Sequence, residues 1–455
     1  MSAPRSTAPD SVSLPTSDRP GEQLRVLIVT ENASQRHGGE SILPLHWFLG
    51  LLRANVDVRL LMHARHEREV VELLGENAFR VHFVPDTLSQ KILWTLSRPL
   101  PHNVKVFTTV WFMHLITQFT QRRVARRMIA QHQINVVHEP IPVSPRLPSM
   151  MYDLGAPVVI GPMNGNMSYP PGSRRPLFQE PIFRPLARSF TSLANWLIPG
   201  KRRSALLLVA NERTRQGLPR NCSARVETLV ENGVDPEVWR RPDDLPTRPD
   251  GVLRLGFSGR LLDWKGVDVV LAVLAELRKQ SPAVELWIVG DGPERKRLGR
   301  QAEHLGLVGA VTFHGWVGQN ECARLLSQCD VFVYPSVMDC GGAVVLEAMS
   351  LGLPVVALNW GGPADYVRPP FGVAIDPAPR RQVIAEMVKA IQSLTPEKRR
   401  RMGAAAQKEI ADHYAWPAKI QEILAKYKDA CGADTHTPKA EGTAESLCVE
   451  SSPSA

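Results

Sequence analysis

Hydrophobic positions in this chain gather into short continuous runs instead of alternating with polar ones. Arg25–Thr30 (RVLIVT) is the first, followed by Val56–Leu61, Val81–Val84, Asn135–His138, Pro157–Ile160, Leu206–Ala210 and Arg225–Val230. A second series comprises Leu253–Ser258, Glu285–Val289, Val311–His314, Val331–Tyr334, Pro354–Ala357 and Val373–Ile375. Strands that are apolar on both sides belong inside parallel sheets, with helices covering each face. The segments between the runs carry apolar residues at helical spacing, which predicts those helices. The expected fold class is therefore α/β, with two Rossmann-like lobes facing across a cleft. The N-terminal lobe spans residues 23–233 and the C-terminal lobe 251–416, joined by a linker, 234–250, rich in Asp, Pro and Arg. A final helix over 417–430 places Ile420, Ile423, Leu424 and Tyr427 at helical spacing and can pack on either lobe.

Composition narrows the picture. The 455 residues are 44% hydrophobic, enough for two cores. Residues 1–22 are half Pro, Ser and Thr, and 431–455 read alike, so both are expected to be disordered tails. The apolar stretches fall far short of the ~20 residues of a membrane-spanning helix. No basic region followed by an apolar run opens the chain, and the six cysteines form no CxxC pair. A reduced, cytoplasmic protein is the expectation.

In open α/β sheets ligands sit beyond the carboxyl ends of the strands, so the loops after each run are the places to look for chemistry. After the first run comes His37-Gly38-Gly39-Glu40-Ser41, leading into a helix. Paired glycines at a helix start let backbone N–H groups approach a phosphate, although a tight turn needs them equally. No GxGxxG stands here, which argues against a dinucleotide cofactor. After Leu253–Ser258 come Gly259, Arg260 and, further on, Lys265 and Gly266. Arg260 offers a planar fork to phosphate oxygens and Lys265 a mobile point charge, set against the alternative of two solvated cations. Gly290-Asp291-Gly292-Pro293 reads as a tight loop into a helix, with a supporting role near a nucleotide as the alternative. After Val331–Tyr334, Asp339 precedes Cys340-Gly341-Gly342, and Glu347 follows within the apolar helix Ala343–Leu351. A carboxylate among Val344, Val345, Leu346, Ala348 and Met349 either holds a polar partner or faces solvent on a narrow stripe.

The segments GRLLDWKG (Gly259–Gly266), LWIVGDGPERKRL (Leu286–Leu298), VTFHGWV (Val311–Val317) and DCGGAVVLEAMSLGLPVVA (Asp339–Ala357) together resemble the retaining GT-B glycosyltransferases of family four, or group 1. LVENGVD (Leu229–Asp235), the HGGES loop, VVHEP (Val136–Pro140) and IGPMNG (Ile160–Gly165) fit the same pattern, and the resemblance spans roughly residues 23–425. It implies transfer of a hexosyl group, with retention, from a nucleotide-diphosphate sugar to an acceptor hydroxyl. It assigns Arg260 and Lys265 to the donor diphosphate and Glu347 to the ribose hydroxyls. Asp339 takes the place of the family's first Glu beside the donor sugar, one methylene shorter. Gly341, Gly342 and Ala343 would offer backbone N–H groups to the donor, Gly38 and Gly39 would face the diphosphate, and His138 would lie near the sugar's primary hydroxyl, with a core or strand-end histidine as the alternative. The donor is then a substrate and no cofactor is implied. The sequence holds no Asp-x-Asp, which fits a cation pair in place of a metal.

Charge points to the acceptor. Of the net charge of +9, all falls in residues 1–250, with 31 basic and 22 acidic side chains. Residues 87–225 hold 19 basic side chains and four acidic ones. Within them Lys91–Met128 and Arg174–Arg203 interleave Trp and Phe with Arg and Lys. That composition suits an interfacial helix on anionic lipid, or a core face backed by solvated cations. The expected partners are a nucleotide sugar, a glycan or lipid-linked acceptor and an anionic membrane surface, which would place the chain peripherally on the inner face of the membrane. No nucleic-acid recognition motif appears. A nucleotide-sugar-binding protein without transferase activity, an epimerase or a phosphorylase would share this fold.

Overall fold

The computed structural model describes residues 23–35, 39–98, 109, 111–171, 183–220, 222, 224–246 and 251–433. Gly38, residues 1–22 and residues 434–455 lie outside the described residues, whereas residues 431–433 of the tail predicted as disordered from 431 are helical.

Each predicted run is a strand. β1 (Arg25–Val29), β2 (Asp57–His63), β3 (Val81–Val84), β4 (Val136–Glu139), β5 (Val158–Met163), β6 (Leu206–Val209) and β7 (Arg225–Thr228) form one parallel sheet in the order β3-β2-β1-β4-β5-β6-β7. β8 (Leu253–Ser258), β9 (Val284–Val289), β10 (Val311–Gly315), β11 (Val331–Tyr334), β12 (Val355–Leu358) and β13 (Gly372–Ile375) form the second, in the order β10-β9-β8-β11-β12-β13. In both sheets the first strand lies inside, with later strands added to one side and then the other. This leaves a switch point beside β1 and β8, where such sheets bind ligands.

The helices that bear on the site are α1 (Leu43–Arg53), α2 (Leu88–Ser97), α3 (Trp111–His132), α4 (Phe183–Leu197), α5 (Val267–Gln280), α6 (Ala343–Ser350) and α7 (Trp416–Ala433). The C-terminal lobe has one continuous core. The N-terminal sheet has a core on each face: Leu27, Val137 and Ile160 point toward α3, and Val26, Ile28 and Val136 toward α1.

α7 settles the question left open by its pattern. Trp416, Ile420, Ile423, Tyr427 and Ala430 are buried in the N-terminal core against α1. Burying each large side chain contributes about 1.5–3 kcal/mol, so α7 belongs to the first lobe although it follows the second. It continues to Ala433, past the predicted boundary at 430. The outgoing and returning chains lie side by side. Val234 N donates to Tyr414 O at 2.8 Å, and Trp416 N donates to Val234 O at 2.9 Å. The start of the predicted linker is packed as well, since Val234 and Trp239 are buried in the C-terminal core.

Candidate functional site

The carboxyl ends of β8, β9 and β11 carry the loops singled out from sequence. β8 ends at Ser258, and the chain turns through Gly259 to an exposed Arg260. The neighbouring loop leans directly on this turn: a Cβ on Gly290 would lie 2.1 Å from Gly259 O. The Gly290–Pro293 loop therefore acts as a buttress for Arg260. Among the described residues no hydrogen bond or ion pair reaches the Arg260 guanidinium.

Lys265 ends a short 3₁₀ turn, Asp263–Lys265. Its Nζ donates to Tyr334 Oη at 2.8 Å and to Asp339 Oδ2 at 2.6 Å. Tyr334, the last residue of β11, donates its hydroxyl to the same Oδ2 at 2.5 Å. The other oxygen, Oδ1, accepts the Gly342 N–H at 3.0 Å. Burial alone would raise the Asp339 pKa, but the Lys265 charge and these hydrogen bonds outweigh it and hold the carboxyl below its ordinary value. Asp339 thus uses both oxygens within the protein, tying β8's loop, β11 and the start of α6 together.

Gly342 caps α6 in the left-handed conformation at φ +60°, with Gly341 and Ala343 on either side. One turn into α6, Glu347 stands partly buried between Val345, Leu346, Ala348 and Met349. Burial pushes its pKa up to about 8. Among the described residues nothing hydrogen-bonds to its carboxyl, which leaves it able to take a ligand's hydroxyls.

The N-terminal lobe contributes less directly. Gly39, at φ +57°, opens the short turn that precedes α1 and is exposed, with open space around it. Glu40 beside it has its pKa raised by burial although Val143 N–H bonds to it. Both lobes meet at Cys340: burial raises its thiol to about 11, Arg213 opposes this, and the charges of Asp339, Glu231 and Glu40 add to it.

His138 does not join this group, which corrects the expectation for it. It is fully buried on the α1–α7 side of β4. Nε2 bonds to Gly161 O at 2.6 Å and Nδ1 to Tyr427 Oη at 2.7 Å, and Trp47 and Tyr427 pack edge-on against the ring. Burial lowers its pKa to about 4. It is a neutral core histidine with both nitrogens occupied. Reasoning from sequence also overlooked Tyr334, Asn164, Arg213 and Glu231, although Tyr334, Asn164 and Glu231 lie within or beside the quoted motifs.

The family described as Glycosyl transferases group 1 matches residues 246–409. The C-terminal lobe is thus similar to the group 1 glycosyl transferases. The described residues have the GT-B fold. A structure of Anabaena Alr3699/HepE in complex with UDP superposes with a TM-score of 0.60 at 17% identity, covering 89% of this chain and all of that one. A glycosyltransferase from Rickettsia africae gives 0.61 at 13%, covering 90% and 98%. In sequence, the D-inositol 3-phosphate glycosyltransferase of Stackebrandtia nassauensis is 33% identical over 228 residues, 47% of this chain and 51% of that protein. The GDP-mannose-dependent alpha-mannosyltransferase of Mycobacterium tuberculosis is 31% identical over 230 residues, 47% and 56%. The chain thus spans about half the length of these relatives.

Proposed function

We propose that this chain is a retaining glycosyltransferase, moving a hexosyl group from a nucleotide-diphosphate sugar to a hydroxyl of a glycan or lipid-linked acceptor. The observation that carries it is the Lys265–Tyr334–Asp339 triad beside a free Glu347 and a free Arg260, on a lobe similar to the group 1 glycosyl transferases. Breaking the sugar–phosphate bond builds charge on the leaving diphosphate. A preorganised cation meets that charge with no reorganisation, and Lys265 is already held in place by Asp339 and Tyr334. Arg260, free at a strand end, closes on the phosphate as a fork. No divalent metal is required for this role. Glu347 takes the paired ribose hydroxyls, and the N–H groups at Gly341–Ala343 face the sugar or phosphate. Gly39 presents backbone to the diphosphate from the opposite lobe. Named relatives support a nucleotide-sugar donor, one being GDP-mannose-dependent and HepE having been solved with UDP-glucose.

The acceptor is proposed to be membrane-borne and approached from the inner leaflet. No described helix is long and apolar enough to cross a membrane. Phe112, Phe119, Phe190, Leu193, Trp196 and Leu197 are nonetheless exposed on α3 and α4. Trp111 of α3 touches Phe190 of α4 at 5.3 Å between ring centres, so the two helices share one face.

Thermal stabilisation by a panel of nucleotide sugars identifies the donor, since binding to the native state raises stability by mass action. With that donor, Lys265→Ala should lower turnover by about 10²–10³, the loss expected for one transition-state donor. Proton NMR of the product should show the anomeric configuration of the donor. Near-wild-type turnover in Lys265→Ala removes the assignment, and an inverted product removes retention.

A further inference from the structure

The loop that carries Asp339 is held from the other lobe. The Cys340 carbonyl accepts Asn164 Nδ2 at 2.9 Å and Arg213 Nη2 at 3.2 Å. Asn164 directly follows β5, and Arg213 lies in the turn after β6. The two are joined to each other, Arg213 Nη2 reaching Asn164 Oδ1 at 3.2 Å. Behind them Glu231 Oε1 accepts Asn164 Nδ2 at 2.7 Å and Asn232 Nδ2 at 2.9 Å. Asn164 and Glu231 are almost completely buried. Gly341 rests on this base so closely that a Cβ would fall 2.2 Å from Asn232 Nδ2 and 2.3 Å from Glu231 Oε1. On the C-terminal side, Gly362 N donates to Asp339 O at 2.8 Å. The stretch Asp339–Gly342 is therefore gripped at every peptide, and half the grip belongs to the opposite lobe.

We infer that Asn164 and Arg213 are positioning residues. They fix the Cys340–Gly342 loop and, through Asp339, the position of Lys265, so the donor site is complete only when the lobes meet. The inference rests on the transferase reading and adds residues to it. The two lobes have separate cores, so losing these few polar bonds leaves both folded. What is lost is the register of one loop. The bond from Arg213 is charge-assisted and tolerates a change of side chain poorly where two acceptors are served at once.

The experiment uses the full chain with Asn164→Ala, Arg213→Ala, Arg213→Lys and the Asn164→Ala/Arg213→Ala pair. Steady-state kinetics with the donor from the panel, UDP and GDP titrations, melting temperature and small-angle scattering are measured. The expected result is melting close to wild type, kcat lowered tenfold or more in each alanine variant, and a larger radius of gyration. Arg213→Lys should recover part of the loss, because one ammonium can still reach the carbonyl. The double variant should be little worse than the poorer single one, since both act on Cys340 O. Unchanged kcat and radius in both alanine variants, or fully additive losses, overturns the inference. If the wild type turns over no donor, the transferase reading fails, and the clamp is then decided by scattering alone. An unchanged radius overturns it.

Discussion

Asp339 sits between three donors, Lys265 Nζ, Tyr334 Oη and Gly342 N–H. Its pKa lies below the ordinary 3.8 in the folded chain. The unfolded chain therefore binds a proton first as pH falls. The stability that Asp339 contributes is present above about pH 4 and disappears as pH drops through the folded value. Asp339→Asn should melt below wild type at pH 7, with the gap closing toward pH 3 in a pH series of melting curves. A gap independent of pH would show that the carboxylate charge is not what holds Lys265. Glu347 runs the opposite way: raised to about 8, it favours the fold at low pH and penalises it as pH rises from 4.5 to 8. The positions of Arg260, Lys265 and Glu347 were legible because spacing from a strand end fixes where a side chain emerges. His138 was not. Side chains alternate along a strand, and Val137 faces the α3 core while Val136 and His138 face α1 and α7. Without knowing what packs there, a strand-end histidine reads equally as ligand or core.

At the scale of elements, the inner strands were readable because buried parallel strands announce themselves as unbroken apolar runs, whereas the edge strands β3, β7 and β10 are only part-buried. α3 left two readings open, an interfacial helix or a core face, and the buried side of its first half is polar. His114 Nδ1 pairs with Glu31 Oε2 at 2.7 Å, Gln118 Nε2 donates to Glu139 Oε1 at 2.5 Å, and Gln121 Nε2 donates to Thr30 O at 2.6 Å. Those partners sit at the carboxyl ends of β1 and β4, where the sheet's own edge is polar. Phe112 and Phe119 are turned outward as a result. The cations beside them are partly committed: Arg122 and Arg126 bond the Tyr152 and Asp153 carbonyls. Lys201 is buried against the Ser144 and Pro145 carbonyls, and burial lowers its pKa to about 7. Apolar insertion thus carries more of the proposed membrane contact than the count of basic residues implied. Sedimentation with phosphatidylglycerol vesicles tests it. Wild type should pellet, and Trp196→Ser/Leu197→Ser should lose at least tenfold in partitioning with its melting temperature kept. Equal pelleting of the two, or none by the wild type, removes α4 from the contact.

For the whole molecule, α7 joins what the sequence keeps apart. His138 and Tyr427 are 289 positions apart and share a hydrogen bond of 2.7 Å. No local pattern could assign α7 to a lobe, because its apolar face suits either. Tyr427→Phe keeps the packing but strips His138 Nδ1 of its donor in a buried site, which should lower stability by about 1–3 kcal/mol. Turnover per folded molecule should stay at the wild-type level, and a large fall in kcat would return His138 to the chemistry. The twin crossing at Val234 and Ala415 has a consequence for how the protein is made. During translation the first lobe emerges early but leaves the ribosome with a gap along α1, which residues 416–430 later fill. At ~5–20 residues per second, His138 waits on the order of 15–60 s for its tyrosine. The lobe synthesised first is thus the one finished last. The nascent chain must keep that apolar groove from other partners until the C-terminal lobe has passed through the exit tunnel.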